Sequence, residues 1–150
     1  MSAHRDVVLR TAATRAFEEL GLLCVRQEGP PPRVSGALRA GAEVSFTGSL
    51  EGHLILRVSR GVLDAITANM LGREGPHSAS LRSDALGELA NVICGSALAG
   101  CVGPSARLSL GPPARIGAGR STEERRPLYA RASLDLEAGR ADVRLYAMSA

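Results

Sequence analysis

Four residues of one segment, Asp84, Glu88, Asn91 and Gly95, have types and a spacing that allow them to act together. At about 100° per residue in an α-helix, with Asp84 at zero, Glu88 falls at about 40°, Asn91 at about 340° and Gly95 at about 20°. We call these four positions the polar stripe. It presents carboxylates, an amide and then a position without a side chain. That combination predicts a docking surface that a partner approaches closely.

The rest of this predicted helix supports that interpretation. Any amphipathic helix has a solvated side, so on spacing alone ordinary surface is the simpler interpretation. After Arg82, however, the outer face carries no Lys, Arg or Gln, which an exposed helix uses freely. Asn91 competes with the backbone in a helix interior, and Gly95 costs about 1 kcal/mol relative to Ala. The opposite face is apolar and would dock on a sheet: Leu86, Leu89, Ala90, Ile93 and Ala97.

The helix that carries the stripe is predicted from a Ser83 cap to about Leu98, and glycines at 100 and 103 end it. Asp84 would then lie in the first turn, where the helix dipole favours a negative charge. The same apolar spacing predicts two more helices, at 6–20 before Gly21, and at 59–71 with Ser59 as N-cap and Gly72 as the stop.

Short β-rich runs predict strands between these helices, and Gly29–Pro32 interrupts regular structure. The runs 43–48 and 53–59 flank a turn at 49–52 and should pair as an antiparallel hairpin. A flexible loop is expected at 117–125 and an extended connection through about residue 40. All predicted strands are 22–25, 43–48, 53–59, 106–110, 126–134 and 141–147.

Hairpins with helices grouped together indicate a two-layer α+β domain with a mostly antiparallel sheet of about six strands. The length of 150 residues suits one domain, 1–150, and 45% hydrophobic content is enough for a core. Aromatic residues are scarce, which argues against base stacking and hence against a nucleic-acid partner. All 18 basic residues are Arg, and they are scattered along the chain. The net charge is only +3. This charge distribution fits solvated surface, or a weak electrostatic attraction toward an acidic protein partner.

Other residues capable of chemistry do not form a recognisable set. The cysteines are odd in number and form no CxxC pair, and the histidines have no metal-site or catalytic spacing, so no metal site is predicted. No apolar leader and no uninterrupted apolar run of about 20 residues is present, which predicts a cytoplasmic protein without a membrane partner. These residues are Cys24, Cys94, Cys101, His4, His53 and His77.

The segment Asp84-x3-Glu88-x2-Asn91, followed by Pro113, resembles the signature of the CheC, CheX and FliY phosphatases of bacterial chemotaxis. The hairpin pieces Phe46-Thr-Gly48 and Glu51-Gly-His-Leu54, the helix end Asn69-Met-Leu-Gly72 and the run Glu88-Leu-Ala-Asn-Val-Ile-Cys-Gly95 resemble the CheX branch. The resemblance covers about residues 5–147 and agrees in the order of elements, which implies a CheC/CheX-like fold.

The resemblance implies that Glu88 and Asn91 act together on a phosphorylated receiver domain of the CheY type. The receiver supplies the aspartyl phosphate, a bound Mg²⁺ and a Lys, so this chain binds no cofactor of its own. Asn91 would orient the attacking water through its donor and acceptor. Glu88 would pair with the receiver's Lys. Asp84 would help docking, or simply serve the helix dipole, and Gly95 would allow close approach.

Two departures from the family pattern affect the expected site. Pro113 lies one residue nearer to Asn91 than the pattern places it, so a one-residue deletion or use of the pair Pro112-Pro113 is implied. In the CheC branch the second helix carries a duplicate motif, whereas here it has Asn69 without a Glu. We therefore expect one active site per chain, as in CheX.

Two other function classes remain to be weighed. A non-catalytic receiver-binding or adaptor module would keep the docking fold without turnover, and intact Glu88 and Asn91 favour catalysis over it. A small-molecule enzyme would need a nucleophile or a convergent titratable cluster, which the sequence lacks. The resemblance further implies a homodimer formed through sheet edges, which exposed terminal strands would permit.

Overall fold

The computed structural model of the chain describes residues 3–26, 37–117 and 126–149. Within these residues there are three helices and six strands. In chain order they are α1 (Ala3–Glu19), β1 (Leu38–Gly48), β2 (Leu50–Ser59), α2 (Arg60–Leu71), α3 (Ala79–Val102), β3 (Leu108–Leu110), β4 (Ala114–Ile116), β5 (Leu128–Leu136) and β6 (Gly139–Ser149). The loop predicted at 117–125 lies outside the described residues except for Gly117.

The strands form one antiparallel sheet in the order β3-β1-β2-β6-β5, and β4 also pairs with β1. In the β1–β2 hairpin Phe46 pairs with Gly52, so the chain reverses around Ser49. The far side of β1 is shared, because β3 pairs with residues 46–48 and β4 with residues 41–43. The predicted antiparallel sheet and hairpin are confirmed.

The core lies between one face of this sheet and the three helices. Alternate residues along each long strand point to the helices, as the pleat requires. α1 packs on α3 and β5, and α3 packs on β1 and α2. This arrangement confirms the two-layer α+β class. Side chains that are completely buried in the layer between helices and sheet include Phe17, Val44, Leu54, Leu56, Leu89, Ile93 and Val143.

Helix α3 begins earlier than the sequence predicts. Ser78, not Ser83, is its N-cap, and the Ser78 Oγ accepts a hydrogen bond of 3.2 Å from the Leu81 N–H. Asp84 therefore lies in the second turn, and the expectation that it serves the helix dipole in the first turn is wrong. The helix continues to Val102, with Gly103 as C-cap at φ 89°.

The caps of α2 agree with the prediction. Ser59 is the N-cap, and Gly72 ends the helix in the left-handed conformation at φ 70°. The Ser59 hydroxyl does not cap its own helix but accepts a hydrogen bond of 3.1 Å from the Arg140 N–H. This bond ties the start of α2 to the β5–β6 turn.

The strand predicted at 22–25 is wrong. Only Val25 pairs, as an isolated bridge to Leu136. Leu22 has φ 53°, a left-handed conformation that an extended strand does not contain. The Asn69 Nδ2 donates to the carbonyl oxygens of Gly21 at 2.8 Å and Leu22 at 3.4 Å. The Asn69 side chain, from α2, thus holds a turn where a strand was expected. The sheet still has six strands, because β4 takes the place of the strand predicted at 22–25.

The last strand, β6, lies between β2 and β5, so the expectation that it is an exposed edge is wrong. One edge is β5, and α1 covers part of it; β3 and β4 form the other edge. The Arg131 N–H donates to the Asp6 Oδ1 at 3.0 Å, and the Arg10 Nη1 donates to the Ser133 carbonyl oxygen at 2.7 Å. These side chains occupy backbone groups that an added strand would need.

Among the described helices, α3 is long and apolar enough by length and composition to cross a membrane. Half of its apolar window is buried inside the protein, against the sheet and α1. The helix is therefore weak evidence for a membrane span.

Candidate functional site

Helix α3 exposes the polar stripe as the sequence predicts. Asp84, Glu88 and Asn91 are exposed, and Gly95 is half-buried. The opposite face supplies core residues such as Leu89 and Ile93, both fully buried. The helix is anchored through its apolar face, so the three polar side chains point away from the core on a rigid support.

Three stripe residues line one open cavity of about 380 Å³. Neither ion pairs nor hydrogen bonds join the Asp84, Glu88 and Asn91 side chains to other described residues. Their oxygens and the Asn91 amide are thus available to a partner. The lining consists of Ala42, Ser83, Asp84, Gly87, Glu88, Asn91, Pro113, Ala114 and Arg115.

Pro113 forms the wall opposite the stripe, and Gly87 permits its close approach. A Cβ placed on Gly87 would lie 3.1 Å from both Cβ and Cγ of Pro113, which is tighter than ordinary contact. Gly87 is buried, and the proline ring packs against the position that a Cβ would occupy. The structure therefore places Pro113 beside Glu88 and Asn91 despite its shifted spacing along the chain.

Gly95 lies outside this cavity. A Cβ at Gly95 would meet only the Leu110 Cδ2, at the ordinary distance of 3.9 Å. Leu110 belongs to β3 and is partly exposed, as is Val92 on α3. Gly95, one turn beyond Asn91, therefore borders a small apolar surface next to β3 and not the cavity.

Two residues of the site were not found from the sequence. Gly87 had a signal, because a glycine in a helix interior beside the stripe is costly unless something packs there. Arg115 had none, because β4 is a three-residue strand after two prolines and too short to show a period of two. Arg115 brings a positive charge to the same cavity as Glu88.

The Cys94 thiol, on the buried side of α3, does not contribute a nucleophile. Cys94 is fully buried, and desolvation raises its pKa to about 12. A nucleophilic cysteine requires the thiolate, so Cys94 stays neutral and serves packing. No group of three metal-binding side chains occurs among residues 3–26, 37–117 and 126–149.

The second helix offers no comparable site in its described residues. Asn69, the amide that could belong to a duplicate motif, is engaged with the carbonyls of Gly21 and Leu22. Its side chain is therefore committed to holding the turn after α1. A second water-orienting amide on α2 is not available without breaking those bonds.

A model of the family described as "Chemotaxis phosphatase CheX" matches residues 40–126, more than half of the chain. The chain belongs to the CheX family. The match includes the polar stripe, Pro113 and the hairpin, and the resemblance inferred from the sequence is confirmed. No curated protein sequence matches this CheX-family chain.

Solved structures share its fold. A CheX protein of Desulfovibrio desulfuricans is 19% identical, with a TM-score of 0.73 over 96% of this chain and 99% of that chain. A CheX protein of Vibrio vulnificus is 14% identical, with a TM-score of 0.72 over 97% of each chain. CheX of Borrelia burgdorferi, solved in a complex with CheY, BeF₃ and Mg²⁺, is 15% identical, with a TM-score of 0.68 over 95% and 97%. At these identities the likeness establishes the CheC/CheX-like fold.

Proposed function

We propose that this protein is a phosphatase that hydrolyses the aspartyl phosphate of a CheY-like receiver domain. One observation carries the proposal: in a chain of the CheX family, Glu88 and Asn91 are exposed on one helix face and line an open cavity beside Pro113. The complex of the Borrelia burgdorferi CheX with CheY supports a receiver as the partner. Asp84 and Gly95 extend the docking surface on either side.

Asn91 orients the water that attacks phosphorus. A carboxamide offers a donor and an acceptor and keeps both at any working pH. The attacking water needs its lone pair directed in line with the bond that breaks, so a fixed pair of hydrogen bonds lowers the barrier through positioning. Asn91 extends from a helix packed by Leu89 and Ile93, which limits its movement.

Glu88 anchors the receiver. It precedes Asn91 by three residues, about 4.5 Å along the helix axis. A carboxylate there can pair with the receiver's phosphate-neutralising Lys and set the position of Asn91 against the phosphoryl group. The Mg²⁺ that the reaction needs belongs to the receiver, so the cofactor of this chemistry arrives with the substrate.

The proposal extends to assembly and location. We place the protein in the cytoplasm with its receiver, without nucleic-acid or membrane partners, and as a homodimer. Since Asp6 and Arg10 occupy part of the β5 edge, a dimer formed by strand pairing would have to use the β3/β4 edge or displace those side chains.

The test is the lifetime of a phosphorylated receiver. Each CheY-like receiver domain of the source organism is phosphorylated with acetyl phosphate, freed of donor, and followed with and without this protein. Wild type should shorten the lifetime of at least one receiver, and Asn91→Ala should lose about a hundredfold in rate or more. Glu88→Ala should weaken docking or rate, and Asp84→Ala should matter less.

Ser96→Ala is the matched control, because Ser96 is an exposed residue of α3 outside the cavity. It should behave as wild type. If wild type and Asn91→Ala leave every receiver's lifetime equally unchanged while the protein still binds a receiver, the chain is an adaptor. Loss of activity confined to Asp84→Ala would show that the roles are assigned wrongly.

A further inference from the structure

A second cavity, of about 230 Å³, adjoins the stripe and is lined by four arginines. We call it the arginine cavity. Its walls are the start of α2, the first two turns of α3, and parts of β1 and β4. No Asp or Glu is among the described residues that line it. The arginines are Arg39, Arg60, Arg82 and Arg115.

Two local features bring the arginines together. Arg39 lies at a β-bulge, because Leu38 pairs with Ser59 while Ala40 pairs with Val58. A bulge leaves its extra residue outside the ladder and redirects that side chain.

Arg115 comes from β4, which pairs with β1 at residues 41–43. Gly41 permits this approach, since a Cβ there would meet the Ile116 Cγ1 at 2.7 Å.

The positive charge of the cavity is only partly balanced. Arg60 pairs with Asp64 at 3.3 Å, and the Arg82 Nη1 donates to the His77 carbonyl oxygen at 3.2 Å. The Arg39 and Arg115 guanidinium groups form neither a hydrogen bond nor an ion pair with another described residue. Neither α2 nor α3 has an acidic residue in its first turn, so both helix dipoles add to the positive field.

We infer that the arginine cavity is a second anchor of the docking surface and receives a carboxylate side chain from the receiver that docks on the polar stripe. The inference rests on the proposed function. Ser83 and Arg115 line both cavities, so a molecule seated over Glu88 and Asn91 covers the mouth of the arginine cavity. The acidic stripe would hold the receiver's Lys, and the basic cavity an acidic group beside it.

Opposite charges in adjacent positions fix the orientation of a partner more strongly than either charge alone, because a rotated partner meets like charges. Guanidinium groups suit a carboxylate through paired N–H donors. The two cavities together therefore select a partner surface on which a cationic and an anionic side chain lie side by side.

The experiment uses the receiver that wild type dephosphorylates fastest. The dissociation constant of the complex is measured with the receiver bound to beryllofluoride and Mg²⁺. KM and kcat are measured from dephosphorylation of the phosphorylated receiver. Arg39→Gln should raise the dissociation constant and KM about threefold and leave kcat unchanged. Arg39→Gln combined with Arg115→Gln should raise the dissociation constant about tenfold and flatten its salt dependence.

Two further variants serve as controls, one for the charge at position 39 and one for the location of the lost arginine. Arg39→Lys keeps the charge and should restore most of the affinity. Arg15→Gln removes an exposed arginine that pairs with Glu19 on α1, and it should change neither constant.

Unchanged affinity and salt dependence in the double variant would overturn the inference, and so would a loss in kcat alone for Arg39→Gln. If inorganic phosphate shifts the Arg39 and Arg115 NMR signals while receiver affinity ignores both residues, the cavity is a small-anion site instead.

The proposed function fails separately. In that case no receiver lifetime responds to wild type, the receiver whose beryllofluoride form binds wild type most tightly takes the place of the fastest substrate, and its dissociation constants still decide the inference.

Discussion

Replacing Gly87 by Ala tests whether close contact between α3 and Pro113 shapes the site. The added Cβ would lie 3.1 Å from two carbons of Pro113, and carbon atoms pack best at about 3.5–4.0 Å. The proline must therefore retreat by about 0.5 Å. Pro113 is exposed and belongs to a short connection, so it can move. We expect a folded protein with a displaced cavity wall.

The effects on stability oppose each other. Ala is favoured over Gly in a helix interior by about 1 kcal/mol. Overpacking costs about 1–3 kcal/mol, and the exposed proline puts Gly87→Ala at the low end, so its net change should be about zero. The Cβ of Gly95→Ala would make only an ordinary contact of 3.9 Å with Leu110. This variant should therefore raise the free energy of unfolding by about 1 kcal/mol. Urea denaturation measures the difference between the two variants directly.

The effect on activity should be larger than the effect on stability. A misplacement of about 1 Å near reacting groups can cost about a hundredfold, so a shift of half that size in Pro113 predicts about a tenfold loss for Gly87→Ala. The receiver-lifetime assay measures it, with Ser96→Ala as the neutral control. If Gly87→Ala gains as much stability as Gly95→Ala and keeps full activity, Pro113 does not constrain the site.

Two predictions concern the half-buried Asn69 and the buried Cys94, which both lie outside the site. Asn69→Ala should lower the free energy of unfolding by about 1–2 kcal/mol, because it leaves the Gly21 carbonyl without its 2.8 Å donor, while the receiver-lifetime assay stays unchanged. The raised pKa of Cys94 means that its neutral form stabilises the fold fully below the ordinary pKa of 9.0 and loses that contribution as pH rises toward about 12. Urea denaturation across this range should show a steeper loss for wild type than for Cys94→Ala, and equal slopes would contradict the assignment.

The polar stripe could be predicted from sequence because it is local. Helix periodicity alone fixes the angles of Asp84, Glu88 and Asn91, and no distant residue changes them. The start of the same helix could not be fixed in that way, because Ser78, Ser80 and Ser83 are all acceptable caps. The choice of Ser78 depends on where the chain leaves α2, which is a tertiary property.

Features set by contacts between distant residues were missed. The run 22–25 has strand composition, but Asn69 holds its first residue in a left-handed turn. β4 has no periodicity of its own and exists because β1 offers a free side next to Gly41. In both cases tertiary hydrogen bonding overrides local propensity, as it does wherever a segment is short.

The shifted position of Pro113 follows from the same geometry. From Asn91 the chain completes α3 at Val102 and then returns alongside it to reach Gly87, a distance of about 22 Å along the helix axis. The 11 residues after Val102 can span about 36 Å when extended. The return path through Gly103 and β3 therefore has slack, and one residue more or fewer can be absorbed before the β3 pairing. What the site requires is the contact between Pro113 and Gly87, and the number of residues between Asn91 and the proline is not fixed by it.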